Sequence, residues 1–323
     1  MKNDFHPRLE RNQHLLTPIL LIGFLLLAAV LRAPRLFTVD GIGGAIIVAT
    51  PLILAALALT PIVLVGRGGV DLSVGPLLGF MNVSLVKWLV ETDHASPILV
   101  LGYVLSAGVL YQVLIAAIII YVRISPIIVT LSGYLVLTGF NLVILDRPSG
   151  MAPEWMQSWG NGTSILSPVF FILVAMVVFW LVFSRTTFYQ QILLTGANER
   201  MAFANGVNTV AARFGAHIVA GVFTAAAALT YTALIGSGDP TQGNTYTLAA
   251  ITALVLGGTS LAGGSGGGLG SILGAICIYL ISYILSTYNF GSVSGFVTQM
   301  STGAILVISL LINNLINRRR RLA

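Results

Sequence analysis

Residues 41–65 read GIGGAIIVATPLILAALALTPIVLV and run, without a charge, into Gly66-Arg67-Gly68-Gly69-Val70-Asp71-Leu72-Ser73-Val74-Gly75. The first part is long enough to cross a bilayer, because a spanning helix needs roughly 20 apolar residues. The second part sets an arginine and an aspartate among glycines, and another uncharged run, residues 72–86, follows at once. An acid at such a joint must be paired, hydrated or used as a helix cap. Three readings of Asp71 follow: an ion pair with Arg67, a cap on the next helix, or a polar point on a transport path.

The same alternation of apolar run and broken joint continues along the chain. Only 8% of the residues are charged, 56% are hydrophobic and mean hydropathy is +0.95. A soluble domain is about a quarter charged, so most of this surface is expected to face lipid. Further charge-free runs cover residues 12–31 and 240–316. The expected fold is all-α, a polytopic membrane protein with about ten transmembrane helices at 14–31, 42–66, 72–90, 97–121, 126–145, 165–184, 214–236, 247–262, 268–288 and 296–315. The third and eighth are the least regular, since Lys87 falls late in one and Gly257-Gly258 interrupts the other. Lys2, Arg8 and Arg11 ahead of residues 15–30 would suit a signal peptide, but residues 31–35 lack a small-residue cleavage site. The first run therefore reads as an uncleaved span. A single transmembrane domain, 14–316, is expected between a leader, 1–13, and a basic tail, 317–323.

Basic residues set the orientation. With the N-terminus in the cytoplasm, that side receives Lys2, Arg8, Arg11, Arg67, Arg123, Arg185, Arg200, Arg213 and Arg318 to Arg321. The opposite side receives only Arg32, Arg35, Lys87 and Arg147. This bias puts both termini in the cytoplasm of a multi-pass inner-membrane protein. The net charge of +6 is thus accounted for by topology and does not call for nucleic acid.

Two loops exceed a simple turn. In the outer one, 146–164, Pro153 is placed to start a short helix with Trp155 and Trp159 at headgroup depth. In the inner one, 185–213, Asn198 is a helix cap, Glu199 suits the positive end of the dipole, and Gly206 ends the helix. So short a helix persists only by packing on the membrane domain or on a partner.

Enzymatic readings fail. The glycine-rich stretch 257–270 lacks the lysine and following serine or threonine of a phosphate-binding loop, and there is no His-Glu-x-x-His. Cys277 stands alone, without metal-ligand neighbours. No catalytic residue, metal or bound cofactor is expected. Gly266-x-x-x-Gly270-x-x-x-Gly274 instead offers a close-packing helix face. TPIVLVGRGG at 60–69 is echoed by TALVLGG at 252–258, as in transporters with paired interrupted helices. Between residues 214 and 316 only His217 and Asp239 are titratable side chains of the kind an ion-driven carrier uses, which favours a conduit powered from elsewhere.

These residues also carry a resemblance. Gly68-Gly69-Val70-Asp71-Leu72-Ser73-Val74-Gly75 is similar to the Gly-Gly-Ile-Asp-Leu-Ser-Val-Gly element of bacterial ABC importer permeases for ribose, xylose, arabinose and galactose. The stretch 253–264, ALVLGGTSLAGG with Gly257, Gly258, Gly263 and Gly264, resembles their second hallmark. The likeness runs from about residue 41 to 316, within a superfamily that includes branched-chain amino acid and nucleoside permeases. It implies that the loop positions Gly196, Asn198, Glu199, Arg200, Met201, Ala202, Gly206 and Val207 form a coupling helix docking on a cytoplasmic ABC ATPase. It also implies ATP and magnesium on that partner, a second permease subunit, a periplasmic sugar-binding protein, and a small-molecule substrate crossing the lipid bilayer. Residues 246–251 carry no acid where the family carries acids, which leaves the substrate class, and the choice of homodimer or heterodimer, open.

For such a cargo, Ser73, Asn82, Thr130, Ser132, Thr138 and Asn141 are candidates to line the route, since sugar hydroxyls need hydrogen-bond partners once dehydrated. Hydroxyls in membrane helices more often bond their own backbone. The competing classes are a nucleoside or amino-acid permease, an ion-coupled secondary carrier, and a non-transporting scaffold.

Overall fold

The computed structural model describes residues 13–322 apart from 67, 161–162 and 289. Arg67, Lys2, Arg8 and Arg11 therefore lie outside the described residues. In chain order the helices are α1 (Gln13–Arg32), α2 (Val39–Leu64), α3 (Val74–Ser84), α4 (Pro97–Ala117), α5 (Pro126–Ile144), α6 (Glu154–Gly160), α7 (Pro168–Phe183), α8 (Thr187–Ala197), α9 (Glu199–Ala204), α10 (Thr209–Ile235), α11 (Thr245–Leu256), α12 (Gly268–Ser286) and α13 (Ser294–Leu322). α3 and α4 run on into the π-helical stretches Leu85–Val90 and Ile118–Val122. Apart from one isolated bridge, Ser149 to Gly238, all regular structure among the described residues is helical.

Local sequence explains the helix starts. Pro97, Pro126 and Pro168 open α4, α5 and α7, where the missing N–H costs no hydrogen bond. Side chains of Thr38, Ser167, Thr186, Asn198 and Asn208 accept from the first turns of the helices they precede.

The core is built around α2 and α10. The apolar windows of these helices are 89% and 72% buried, whereas those of α1, α4 and α5 are 17%, 28% and 22% buried. A helix that is apolar all round belongs inside, and runs such as 52–59 and 225–228, rich in alanine, let backbones close on it. A Cβ on Gly221 of α10 would stand 2.7 Å from Val109 Cα of α4. Gly257 packs against Gly270, and Gly274 against the Ala253 carbonyl, so two of the three spaced glycines do bring α12 onto α11. Gly266 precedes α12 and meets Thr259 instead. Leu20, Phe24, Ile98, Leu135 and Val143 face outward, as in a protein whose solvent is hydrocarbon.

The number of long spans falls short of the ten expected. Six helices among the described residues are long and apolar enough to cross a membrane, and a seventh counts if α7 and α8, bent by 73°, are taken together. The physical reason lies at the helix ends. The run expected at 72–90 forms one helix, 74–90, that passes from α into π turns and stays short of a full span. The run expected at 247–262 is cut by the Gly257-Gly258 turn after a helix of 12 residues. The expected 296–315 span lies within α13, whose described apolar part, Ser294–Ser309, is short by the same measure. The outer-loop helix α6 is present, but Trp155 and Trp159 lie half-buried on the protein, with Trp155 Nε1 donating to Ala95 O at 2.8 Å.

Replacing Gly221 by leucine is expected to force α10 off α4, at about 1–3 kcal/mol, and to lower the melting temperature in detergent. Gly23→Leu, where a side chain would meet nothing within 4 Å, should leave it unchanged.

Candidate functional site

Three loops meet backbone to backbone at one end of the bundle. Gly66 leaves α2 at φ +89°, and a Cβ there would lie 2.9 Å from Gly196 Cα at the end of α8. A Cβ on Gly196 would overlap the Leu64 carbonyl and come within 2.7 Å of Gly264 N. Gly263 and Gly264 have φ +97° and +70°, and a Cβ on either would fall within 2.5–2.6 Å of Gly66 Cα or Ala197 Cα. Gly264 N donates to Leu64 O at 2.9 Å, satisfying a carbonyl that the end of α2 leaves unpaired. Just upstream, Gly258, at φ +79°, closes α11: its N–H donates to Val255 O and that of Thr259 to Leu254 O, the glycine-terminated Schellman pattern. The joint after α2, the turn after α11 and the α8–α9 loop thus form one node that only glycines can fill.

From this node the chain enters a buried polar relay. Asp71 is fully buried. Its Oδ1 accepts from Ser73 N at 2.7 Å and Ser73 Oγ at 2.6 Å, and its Oδ2 accepts from Gln112 Nε2 of α4 at 2.5 Å. Gln112 Oε1 lies 2.8 Å from His217 Nδ1 of α10. Asp71 therefore closes a turn onto Ser73, the residue just before α3, and makes no cap bond to the N–H groups of the helix itself, while pairing with Arg67 lies outside the described residues. Next to it, Gly75 N donates to Thr247 Oγ1 at 3.1 Å, and Thr247 Oγ1 donates to Leu72 O at 3.2 Å. The starts of the two half-length helices, α3 and α11, are tied to each other. A Cβ on Gly69 would stand 3.0 Å from Ile62 O, whereas Gly68, at φ +66°, has open space around it.

The route candidates divide. Asn82, Thr130 and Asn141 are buried. Asn82 joins α3 to Thr232 Oγ1 at 3.1 Å and Ser237 O at 2.9 Å, and accepts from Asp239 N at 2.8 Å. Thr130 donates to Val70 O at 3.1 Å, and Asn141 to Pro76 O at 3.1 Å. The hydroxyl of Thr138 and Oδ1 of Asn141 are buried without a hydrogen-bond partner, as is Asn244 Oδ1. Ser132 is exposed and bonds Ile128 O in its own helix at 2.9 Å.

The short helix α9 forms as its caps require. Asn198 Oδ1 accepts from Met201 N at 3.1 Å, and Gly206, at φ +82°, lets Val207 N reach Ala202 O and Gly206 N reach Phe203 O, both at 3.0 Å. Its two faces differ. Glu199 pairs with Arg213 of α10 at 2.6 Å, with side chains only 23% and 12% exposed, and Ala202 is buried. Arg200, Met201 and Phe203 face outward, the last two 62% and 72% exposed. Gln112, Thr247 and Gly196's role in the node were not singled out from sequence. Gln112 is the only amide in the otherwise apolar and hydroxyl-bearing α4, which is the signal that marks it. Among the described residues no three His, Cys, Asp or Glu side chains cluster.

The family described as "Branched-chain amino acid transport system / permease component" matches residues 41–311. The ribose import permease protein of Bacillus subtilis (strain 168) is 29% identical over 80% of this chain and 80% of its own length. That of Haemophilus influenzae is 27% identical over 93% of each. The autoinducer 2 import system permease protein of Photorhabdus temperata is 28% identical over 79% of this chain and 78% of its own length. No solved structure matches the chain.

Gln112→Met keeps the volume but removes both relay bonds. It is expected to destabilise the protein by about 2–3 kcal/mol, read as a lowered melting temperature in detergent. Ser132→Ala should change it by no more than about 0.5 kcal/mol.

Proposed function

The chain belongs to the family of permease components of branched-chain amino acid transport systems, and on that premise we propose that it is the membrane subunit of a binding-protein-dependent ABC importer for a monosaccharide. As a permease component it moves solute and carries no ATPase of its own. The two ribose permeases among its relatives support the sugar assignment. The partners are then cytoplasmic ABC ATPases that hold ATP and magnesium, a second permease subunit, identical or not, and a periplasmic binding protein that delivers the cargo.

The observation that carries this reading is the node. The joint just before the first family stretch, at Leu64 and Gly66, and the end of the second, at Gly263 and Gly264, are remote in sequence yet meet at the loop that the resemblance assigns to the ATPase. Both termini and the α8–α9 loop then face the cytoplasm. The chain crosses the inner membrane ten times if, beside the six long helices, the α7–α8 pair, the shorter helix 74–90, α13 and the segment 236–256, which is made partly of non-helical chain, each count as one crossing. Such chain is tolerated at membrane depth where protein covers it, and helix breaks of this kind are where transporters place substrate.

ATP-driven closure of the ATPases pushes on α9. Backbone contacts without intervening side chains leave little to compress, so the push passes through Gly196 to the ends of α2 and α11. The Glu199–Arg213 pair passes it to α10. The tied starts of α3 and α11 respond, and the polar groups beside them, Asn141, Thr138 and Asn244 among them, meet the hydroxyls of the cargo. Asn82 and Thr130, whose bonds hold α3 in place, act on the route through that helix.

The outward face of α9 supplies the test. Met201→Asp and Phe203→Asp alter exposed side chains, so folding should be unaffected, while the partner ATPase recovered on co-purification should fall about tenfold or more, as at an interface hot spot. Unchanged recovery with unchanged sugar-stimulated ATP hydrolysis would overturn the assignment.

A further inference from the structure

Between the end of α2, the α4–α5 turn and the start of α10 lies a cavity of about 390 Å³. Its polar wall is formed by Arg123, Arg213, His217 and Ser125, and its apolar wall by isoleucines that include Ile62, Ile119 and Ile124. Among the described residues no acidic side chain lines it. Arg213 holds Glu199 and forms the inner side of the polar wall. Arg123 has no acidic partner among the described residues. Its backbone is also unusual: it ends the π-helical stretch after α4 at φ +62°, a left-handed conformation where glycine or asparagine is the common choice. A bulky cation held in that conformation beside a cavity marks a candidate functional position.

We infer that this cavity binds a phosphate-bearing anion, with Arg123 as its ligand and the isoleucine wall taking an attached apolar chain. An anionic phospholipid matches both walls at once. Basic pockets between transmembrane helices on the cytoplasmic side bind lipid headgroups, and placing the cavity on that side rests on the orientation proposed above. The site also touches the transport machinery. Arg213 is the residue that clasps α9, and His217, four residues further along α10, ends the relay from Asp71.

The chain, purified alone in a neutral detergent, is titrated with phosphatidylglycerol, with phosphatidylcholine and with inorganic phosphate, and the bound species are resolved by native mass spectrometry. Phosphatidylglycerol is expected to be retained at least about tenfold more tightly than phosphatidylcholine, the worth of a charge-assisted hydrogen bond or more. Arg123→Gln should lower that affinity about tenfold. Ile119→Trp, which fills the cavity and leaves every charge in place, should also lower it, and Arg35→Gln at the other end of the bundle should not. Retention of inorganic phosphate at the same site with no preference for the lipid would assign a soluble phosphate compound. Equal retention of the two lipids without phosphate binding, or wild-type affinity in both Arg123→Gln and Ile119→Trp, would overturn the site. Because neither ATPase nor cargo is present, failure here is distinct from failure of the importer reading.

Discussion

The approach of Gly196 to Leu64, Gly66 and Gly264 is the constraint from which the remaining geometry follows. A single methyl group at Gly196 would occupy the space of the Leu64 carbonyl. With no side chain between them, the end of α2, the turn after α11 and the end of α8 have fixed relative positions. The hydrogen bond from Gly264 N to Leu64 O completes what the helix end lacks. Dispersion contacts alone would allow sliding; a carbonyl seated against a glycine Cα allows very little.

The relay beyond the node answers a different constraint. In hydrocarbon an unpaired backbone or side-chain polar group costs several kcal/mol, yet the chain breaks its helices at mid-bundle. It meets that cost locally. Asp71 satisfies the turn at Ser73, Gln112 satisfies the other oxygen of Asp71, and Thr247 serves both Gly75 N and Leu72 O. At the far end of α3, Asn82 does the same for Thr232, Ser237 and Asp239. The broken helices are held in place by these side chains, so movement of the joint is coupled to α4 and α10.

The membrane class was legible in composition, and the family in two glycine-rich stretches. The caps of α9 were legible because Asn198 and Gly206 act within a few residues of their own position. The span count was not, since an apolar run reports lipid or protein surroundings and is silent about where a glycine turn divides it. The relay was hidden because its members lie 41 and 105 residues apart in sequence. Nor does spacing in the loop tell which side of α9 faces inward: Glu199 and Ala202, natural choices for a docking surface, are turned toward the membrane domain, and Met201 and Phe203 are left exposed.

The claim that the node moves as one body can be tested at its helical base, where Thr60 Oγ1 of α2 and Ser271 Oγ of α12 lie 2.8 Å apart. Cysteines at these two positions, in a chain with Cys277→Ala, are oxidised to a disulfide in the assembled importer, and ATP hydrolysis stimulated by loaded binding protein is measured before and after reduction. If α2 and the segment from Gly263 into α12 travel together, the cross-linked complex retains its stimulated activity. Loss of stimulation on oxidation, restored by reduction, would mean that these elements separate during each cycle and would contradict the account.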